Sequence, residues 1–341
     1  MDSRSWLFGI HLLTALSLSL AALSTQAAGR IFGIAGKSVE DINFINAWKG
    51  CEEEARLNDD TCIHIGEVGP AHFRTQDRVL LEAMDRRIDG IAVSVTNSEY
   101  LAASSLRAAS ERGIPIITFD SDLEKPHDNL RSAYVGPDNL GFGRNLATQA
   151  MRLRPQGGAV CLMSGGPYNP NLNARLLGVR QVLSGDDAFP ADRKLTGENG
   201  WHEPVRCPWY NWDKYDRALL QMREAIYNKE INVFLSVGSW PQIDLNLYRE
   251  VMMPAKAEYL DSLNKIVVIG IGTPLPEQLD QLSEKLVHAF VSIDFEEMGR
   301  ISYRYLKKLS EGERVPEITY TENRIYRWDD PAIMERRVTK E

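Results

Sequence analysis

From Arg30 onward the chain alternates two kinds of segment almost without interruption. Short runs that are apolar throughout, "RIFGIAG", "TCIHIGEV", "GIAVSV" and "PIITFD", are each followed by a longer stretch in which apolar residues return with helical spacing. A strand apolar at successive positions is buried on both faces, as in a parallel sheet covered by helices on both sides. Helices are expected up to Leu57, from Arg74 to Arg87 and from Glu99 to Arg112, and parallel neighbours joined this way form right-handed crossovers. The pattern pauses at a polar loop from Ser121 to Arg131 that contains Pro126, then resumes with "RSAYVG", "AVCLMSG", "WHEPVRC", "NVFLSVG", "KIVVIGIG" and "HAFVSID". Helices are expected over Asn139 to Leu153, Asn171 to Leu183, Tyr215 to Asn228 and Pro276 to Lys285, with a long helical region after Pro241. A last helix from Glu296 to Ser310 precedes a closing strand in "EITYTENRIY".

About ten strands exceed one doubly wound sheet of usual size, so the economical reading is an α/β protein of two such sheets side by side. The length of 341 residues fits two domains. Ligands of open α/β sheets bind beyond the carboxyl ends of the strands, so two facing lobes place those ends along a cleft.

The first 28 residues stand apart from this pattern. Arg4, the apolar run from Trp6 to Leu23 and the small residues ending at Ala27 and Ala28 read as a cleaved secretory signal peptide. An uncleaved anchor is the alternative, because the run approaches spanning length. Export changes the meaning of the four cysteines, since an even count in an oxidising compartment suggests disulfides. Cys51 falls in the first helix and Cys62 at the start of the next strand, a short loop that a bridge closes. Cys161 and Cys207 fall on successive strands of the second half and form the natural second pair. Three connectivities are open, as are buried free thiols. No metal-ligand spacing links these cysteines to the six histidines. The net charge of -8 is interspersed rather than blocked, so no footprint for nucleic acid is present.

The strand ends carry few groups suited to nucleophilic or acid-base chemistry, and no serine sits in a GxSxG elbow. "GIAGKS" at residues 33 to 38 lacks the first glycine of a phosphate-binding loop, where Ile31 stands. "GFGR" and "GIG" lack the third glycine of a dinucleotide fingerprint, and His202-Glu203 lacks the second histidine of HExxH. No cofactor is expected, and the chain does not read as an enzyme.

Four longer stretches are more informative: "DGIAVSVTNSEYLAASSLRAASERGIPIITFDSD", "AYVGPDNLGFGRNLA", "GGAVCLMSGGPYNPNLNARLLGVRQVL" and "HAFVSIDFEEMGRISYRYLKKLSEGE". In order, and over nearly the whole mature chain, they resemble the periplasmic sugar-binding proteins of the ribose and galactose type. The resemblance implies two doubly wound parallel-sheet lobes joined by a three-stranded hinge, with the ligand cleft between them. The first lobe is expected to hold residues 30 to 134 with 294 to 312. The second is expected to hold 135 to 293 with 313 to 328. It also implies a soluble periplasmic protein that closes on a carbohydrate-like ligand and hands it to the inner-membrane permease of an ATP-driven importer. The alternative is a sensory subunit that shows its ligand state to a membrane receptor kinase.

Site residues carry over one by one. Asp120 resembles the family's sugar-binding aspartate, whose carboxylate accepts two hydrogen bonds from adjacent hydroxyls. Arg175 resembles the arginine of the opposite lobe, whose rigid fork suits hydroxyls or a ring oxygen. Lys37, Asp41, Asn43 and Phe44 follow the first strand, where the family presents polar groups and an aromatic; Phe44 fits packed core equally well. Ser94, Tyr168, Asn173 and Asp294 lie at further strand ends. In "CPWYNWDKYD", Trp212 matches the aromatic that stacks on the sugar, Tyr215 reads as helix core behind it, and Trp209 is either a pocket wall or packing over Cys207. Trp240 belongs to the same set. Three departures put the ligand in question. Gly238 stands where the family has asparagine, Gly272 where it has aspartate and Ile293 where it has glutamine, and each unpaired hydroxyl costs about 1 kcal/mol.

Overall fold

The computed structural model describes residues 29–338. The signal-peptide expectation for residues 1–28 lies outside them. Along the chain the first elements are β1 (Ile31–Ala35), α1 (Ile42–Arg56), β2 (Thr61–Ile65), α2 (Phe73–Met84), β3 (Gly90–Val93), α3 (Ser98–Ala103), α4 (Ser105–Glu111), β4 (Ile116–Phe119) and β5 (Ala133–Gly136). After a first crossing come α5 (Asn139–Leu153), β6 (Gly158–Ser164), α6 (Pro170–Ser184), β7 (Trp201–His202), β8 (Trp209–Tyr210), α7 (Tyr215–Tyr227) and β9 (Val233–Ser236). These are followed by α8 (Leu245–Met252), β10 (Ile266–Ile271), α9 (Pro276–Ser283) and β11 (Ala289–Ile293). A second crossing leads to α10 (Phe295–Ser310) and β12 (Ile318–Tyr320), and a third to β13 (Asn323–Arg327) and α11 (Pro331–Val338).

The strands form two sheets, in the orders β12-β5-β4-β3-β1-β2 and β13-β11-β10-β9-β6-β7, with β8 also paired to β6. Every pairing is parallel except β11 with β13. Strands β3, β4, β5, β9, β10 and β11 are buried at every position, so the continuous apolar runs mark double burial as expected. Helix α10 returns to pack on α1 and on the first sheet, while α5 packs on the second.

Three expectations change. The closing strand is two strands: β12 pairs with β5 in the first sheet and β13 with β11 in the second, so residues 318–320 do not lie with the second lobe's sheet. The helix expected from Glu99 to Arg112 breaks at Ser104, because the Asp77 carboxylate accepts from both the Ser104 hydroxyl at 2.8 Å and the Ser105 amide at 2.9 Å. "WHEPVRC" forms only a two-residue strand, β7. Glu203 turns back to Arg180 in a buried ion pair at 2.8 Å, and Cys207 stands in the turn that follows. Disulfides join Cys51 to Cys62 and Cys161 to Cys207, the expected pairs. Among the described residues, no helix is long and apolar enough to cross a membrane.

Helices α5 and α6 approach closely enough that a Cβ on Gly143 would stand 2.0 Å from the Arg175 carbonyl oxygen. Only glycine permits this approach, and it fixes the start of α6 against the first crossing. The ends of β1 and β4 in one lobe and the start of α6 in the other face each other, where Lys37 meets Asn171 and Asp120 meets Arg175.

Candidate functional site

A cavity of about 590 Å³ lies between the lobes, a size suited to a small molecule. Its chemistry begins at Asp120, the residue after β4, which takes a left-handed backbone with φ of 57°. Aspartate tolerates that conformation better than most residues. Asp120 Oδ1 accepts from Arg175 Nη2 at 2.9 Å. Its Oδ2 accepts from Asn171 Nδ2 at 3.0 Å and from the Ser94 hydroxyl at 3.1 Å. The two side chains of the Asp120–Arg175 pair are only 3% and 5% exposed. This is a charge-assisted bond that spans the two lobes.

Arg175 is held on every side. Its Nε donates to Asn139 Oδ1 at 2.8 Å, its Nη1 to the Val237 carbonyl at 3.0 Å, and its guanidinium lies 4.6 Å from the Phe142 ring centroid. Asn139 Nδ2 in turn donates to the Asp120 carbonyl at 2.7 Å, so the first residue of α5 ties the pair to the crossing. Further bonds between the lobes run from Lys37 Nζ to Asn171 Oδ1 at 2.8 Å and from Asn43 Nδ2 to the Ser239 hydroxyl at 3.3 Å.

Burial pushes the Lys37 ammonium down to about 8, although Asp120, Asp213 and Asp41 oppose the shift. Asp41 caps α1 by accepting from the Asn43 amide at 2.8 Å. Burial nevertheless pushes its carboxyl up to about 6, and the nearby charges of Asp213 and Asp120 add to the rise. Burial also raises Asp213, against the pull of Lys37 and the bond it accepts from Trp240 Nε1 at 2.8 Å.

Of the residues expected in the site, Lys37, Asp41, Asn43, Phe44, Asp120, Arg175 and Trp240 line this cavity. Six do not. Ser94 is fully buried behind Asp120 and positions it. Asn173 turns away to donate to the Pro167 carbonyl at 2.8 Å. Asp294 caps α10 by accepting from the Glu297 amide at 3.0 Å. Tyr168 is 60% exposed on the outer surface, and Trp209 lies in β8 against the core.

Trp212 fails for a backbone reason. Asn211 and Trp212 continue the β8 ladder by donating to the Ser164 and Gly165 carbonyls, and the chain then turns through left-handed φ values at both Trp212 and Asp213. The turn is fixed by the Asp213 amide donating to Asn211 Oδ1 at 2.8 Å. It brings Asp213 to the cavity and leaves the Trp212 indole outside, beside Gly166 and Tyr210. Tyr215, expected as helix core, is half exposed and lines the cavity instead. Asn169, Asn171 and Asp213 were missed. Asn171 was legible, because it sits one helical turn before Arg175 and so shares its face.

Two of the three departures from the family pattern, Gly238 and Gly272, have steric explanations. A Cβ on Gly238 would stand 2.7 Å from the Trp240 ring atoms Cη2 and Cζ3, and a Cβ on Gly165 would stand 2.8 Å from the neighbouring Cζ2. The indole thus fills the space that a side chain at 238 would need. A Cβ on Gly272 would stand 2.3 Å from Asn43 Oδ1, so the Asn43 amide occupies that place. Two polar side chains of the expected pattern are replaced by an indole from the next turn and an amide from the other lobe.

Solved structures share this architecture. A glucose-galactose binding protein from Geobacillus stearothermophilus, GanP, matches with a TM-score of 0.72 at 18% identity over 89% of this chain and 99% of its own. An ABC transporter solute binding protein from Agrobacterium vitis bound to alpha-D-tagatopyranose matches with a TM-score of 0.73 at 17% identity, covering 90% and 98% of the two chains. The XylFII-LytSN complex matches with a TM-score of 0.70 at 19% identity, covering 89% and 98%. At these identities the likeness establishes the fold. The periplasmic binding protein domain model matches residues 32–314, nearly all of both lobes, and the chain belongs to that family.

Proposed function

We propose that this chain is an exported solute-binding protein that closes on one small, carbohydrate-like molecule in the cavity between its lobes. The observation that carries the reading is the Asp120–Arg175 pair. A carboxylate from one lobe and a guanidinium from the other meet beside the cavity, so a ligand touching both stabilises the closed form. Asp120 retains acceptor capacity beyond its three bonds, since a carboxylate offers about four lone-pair sites. Trp240 and Phe44 offer apolar surface for the carbon face of a ring. The hinge consists of the three crossings after Gly136, before Phe295 and between Tyr320 and Asn323, and closure is a rotation about them.

Closure joins surface from both lobes into one face, which a membrane partner reads. The permease of an ATP-driven importer is the favoured partner, in keeping with the A. vitis relative. The XylFII-LytSN complex supports a second reading, in which the partner is a membrane receptor that reports ligand state. Co-purification from membranes separates the two, by whether a permease or a receptor kinase is recovered. The binding claim is tested by a thermal-shift screen of pentoses, hexoses and polyols, because a tight ligand raises Tm by mass action. A hit that raises Tm equally in wild-type, Asp120→Ala and Trp240→Ala protein places the site elsewhere.

A further inference from the structure

The wall of the cavity changes character from floor to mouth. At the floor, Asp120, Arg175 and Asn171 are almost entirely buried and are bonded to one another. At the mouth, three aliphatic side chains line the same cavity and stay open to solvent: Ile42 is 48% exposed, Ile243 39% and Leu275 49%. Tyr215, half exposed, joins them. Single exposed aliphatic residues occur on any protein and call for no explanation. Three on the lining of one cavity, drawn from two lobes, are a different case.

Their placement follows from the contacts beside them. Ile42 opens α1 in the first lobe, next to Asn43, which donates to Ser239 and whose Oδ1 would stand 2.3 Å from a Cβ on Gly272. Ser239 and Gly272 lie on the segments that follow β9 and β10, and those segments run on to Ile243 and Leu275. Closure therefore carries Ile42 of one lobe toward Ile243 and Leu275 of the other. These are also the two segments on which Gly238 and Gly272 replace polar side chains of the expected pattern. The second lobe thus withdraws hydrogen-bonding groups from the cavity there and presents aliphatic ones.

Size points the same way. A water molecule takes about 30 Å³ of liquid, so the cavity of about 590 Å³ spans roughly twenty of them. A hexose has about a dozen non-hydrogen atoms, packed closer than separate waters, and leaves more than roughly a third of that space unfilled. The part left over includes the aliphatic mouth, where an apolar group releases water from both lobes at once.

We propose that the ligand is a glycoside, a sugar joined to an apolar alkyl or aryl group, with the sugar at Asp120 and Arg175 and the apolar group between Ile42, Ile243 and Leu275. The proposal rests on the carbohydrate reading above and narrows it. A free sugar meets the floor equally well but leaves the mouth uncovered.

The test is calorimetric titration of the wild-type protein with β-D-glucosides, β-D-galactosides and β-D-xylosides that differ only in the attached group: methyl, butyl, hexyl or phenyl. For a sugar that binds, affinity is expected to rise with alkyl length by at most about fourfold per methylene group, so that the hexyl or phenyl member binds roughly tenfold or more tightly than the methyl one. Hexanol and phenol, which lack the sugar, are expected to bind at least roughly tenfold more weakly than their glycosides. In Leu275→Ser protein, where serine suits the N-cap of α9, the ratio of hexyl to methyl affinity should fall by roughly threefold or more while the methyl glycoside binds as before. A merely structural loss lowers both affinities together. Ile42→Ser supplies the same ratio from the other lobe should the first variant not fold. Methyl glycosides that bind as tightly as hexyl and phenyl ones, or a ratio unchanged in both variants, overturn this proposal and leave the carbohydrate reading standing. Hexanol or phenol binding as tightly as its glycoside reveals adhesion to the rim alone and overturns it as well. Absence of saturable binding by any glycoside overturns both.

Discussion

Gly238 offers a sharp test of how the cavity wall is built. Replacing it with alanine adds one methyl group, which would stand 2.7 Å from two atoms of the Trp240 ring and 3.2 Å from a third, where ordinary contact begins near 3.4 Å. The ring cannot retreat freely. Gly165 lies close beside the adjoining Cζ2, and the ring's Nε1 is committed to Asp213 at 2.8 Å. Relief therefore requires a backbone shift at 238 or loss of the indole-carboxylate bond, and either route costs about 1–3 kcal/mol. In a protein of this size that is a fall in Tm of roughly 2–10 °C. Urea denaturation of Gly238→Ala, Trp240→Ala and the double variant measures the coupling directly. With the ring gone the three nearest neighbours of the added methyl group are gone, so the cost of Gly238→Ala should fall sharply in the Trp240→Ala background. An equal cost in both backgrounds refutes the claim that the indole occupies the space of a side chain at 238.

Three further outcomes follow from named contacts. Asp41→Asn keeps the helix cap but removes a carboxyl that burial holds at about 6, so it should stabilise the unliganded protein at pH 7.5 by at most about 3 kcal/mol. The gain should vanish as pH falls through 6 toward 3.8, where the native carboxyl takes up a proton; a gain independent of pH contradicts the assignment. Arg175→Ala leaves the Asp120 carboxylate without its cation and should cost about 3 kcal/mol by urea denaturation. Adding Asp120→Asn should return most of that loss, and simple additivity would argue against the pair. Removing the Cys161–Cys207 bridge, which closes the longer loop of 46 residues, should cost about 4 kcal/mol, against about 3 kcal/mol for the 11-residue Cys51–Cys62 loop. Denaturation of the paired serine variants checks the order.

The architecture was legible because doubly buried strands such as Ile266–Ile271 and Ala289–Ile293 leave an unbroken apolar run that no exposed strand would carry. The split of the final segment was not, since the exposed and half-buried residues of β12 and β13 carry no pattern that names which sheet they join. Within the site, residues placed directly by a strand end were readable: Asp120 follows β4 and Lys37 follows β1. Residues placed by turns were not. The consecutive left-handed residues Trp212 and Asp213 exchange which side chain faces the cavity, and neither is a glycine that would have flagged such a turn. Choosing Asn173 over Asn171 overlooked helical spacing from Arg175, which the sequence does contain. Gly238 and Gly272 looked like lost ligand contacts, whereas each makes room for a side chain that arrives from elsewhere.

The central claim is that a small polyhydroxylated ligand sits between the lobes, bound by the Asp120–Arg175 pair. A crystal structure of the protein with the strongest hit of the thermal-shift screen tests it most directly. The predicted result is ligand density in the cavity, with a hydroxyl within hydrogen-bond distance of the Asp120 carboxylate or the Arg175 guanidinium and a ring or chain face against Trp240. Density for the ligand outside the cleft, or inside it with neither Asp120 nor Arg175 in contact, would contradict the account.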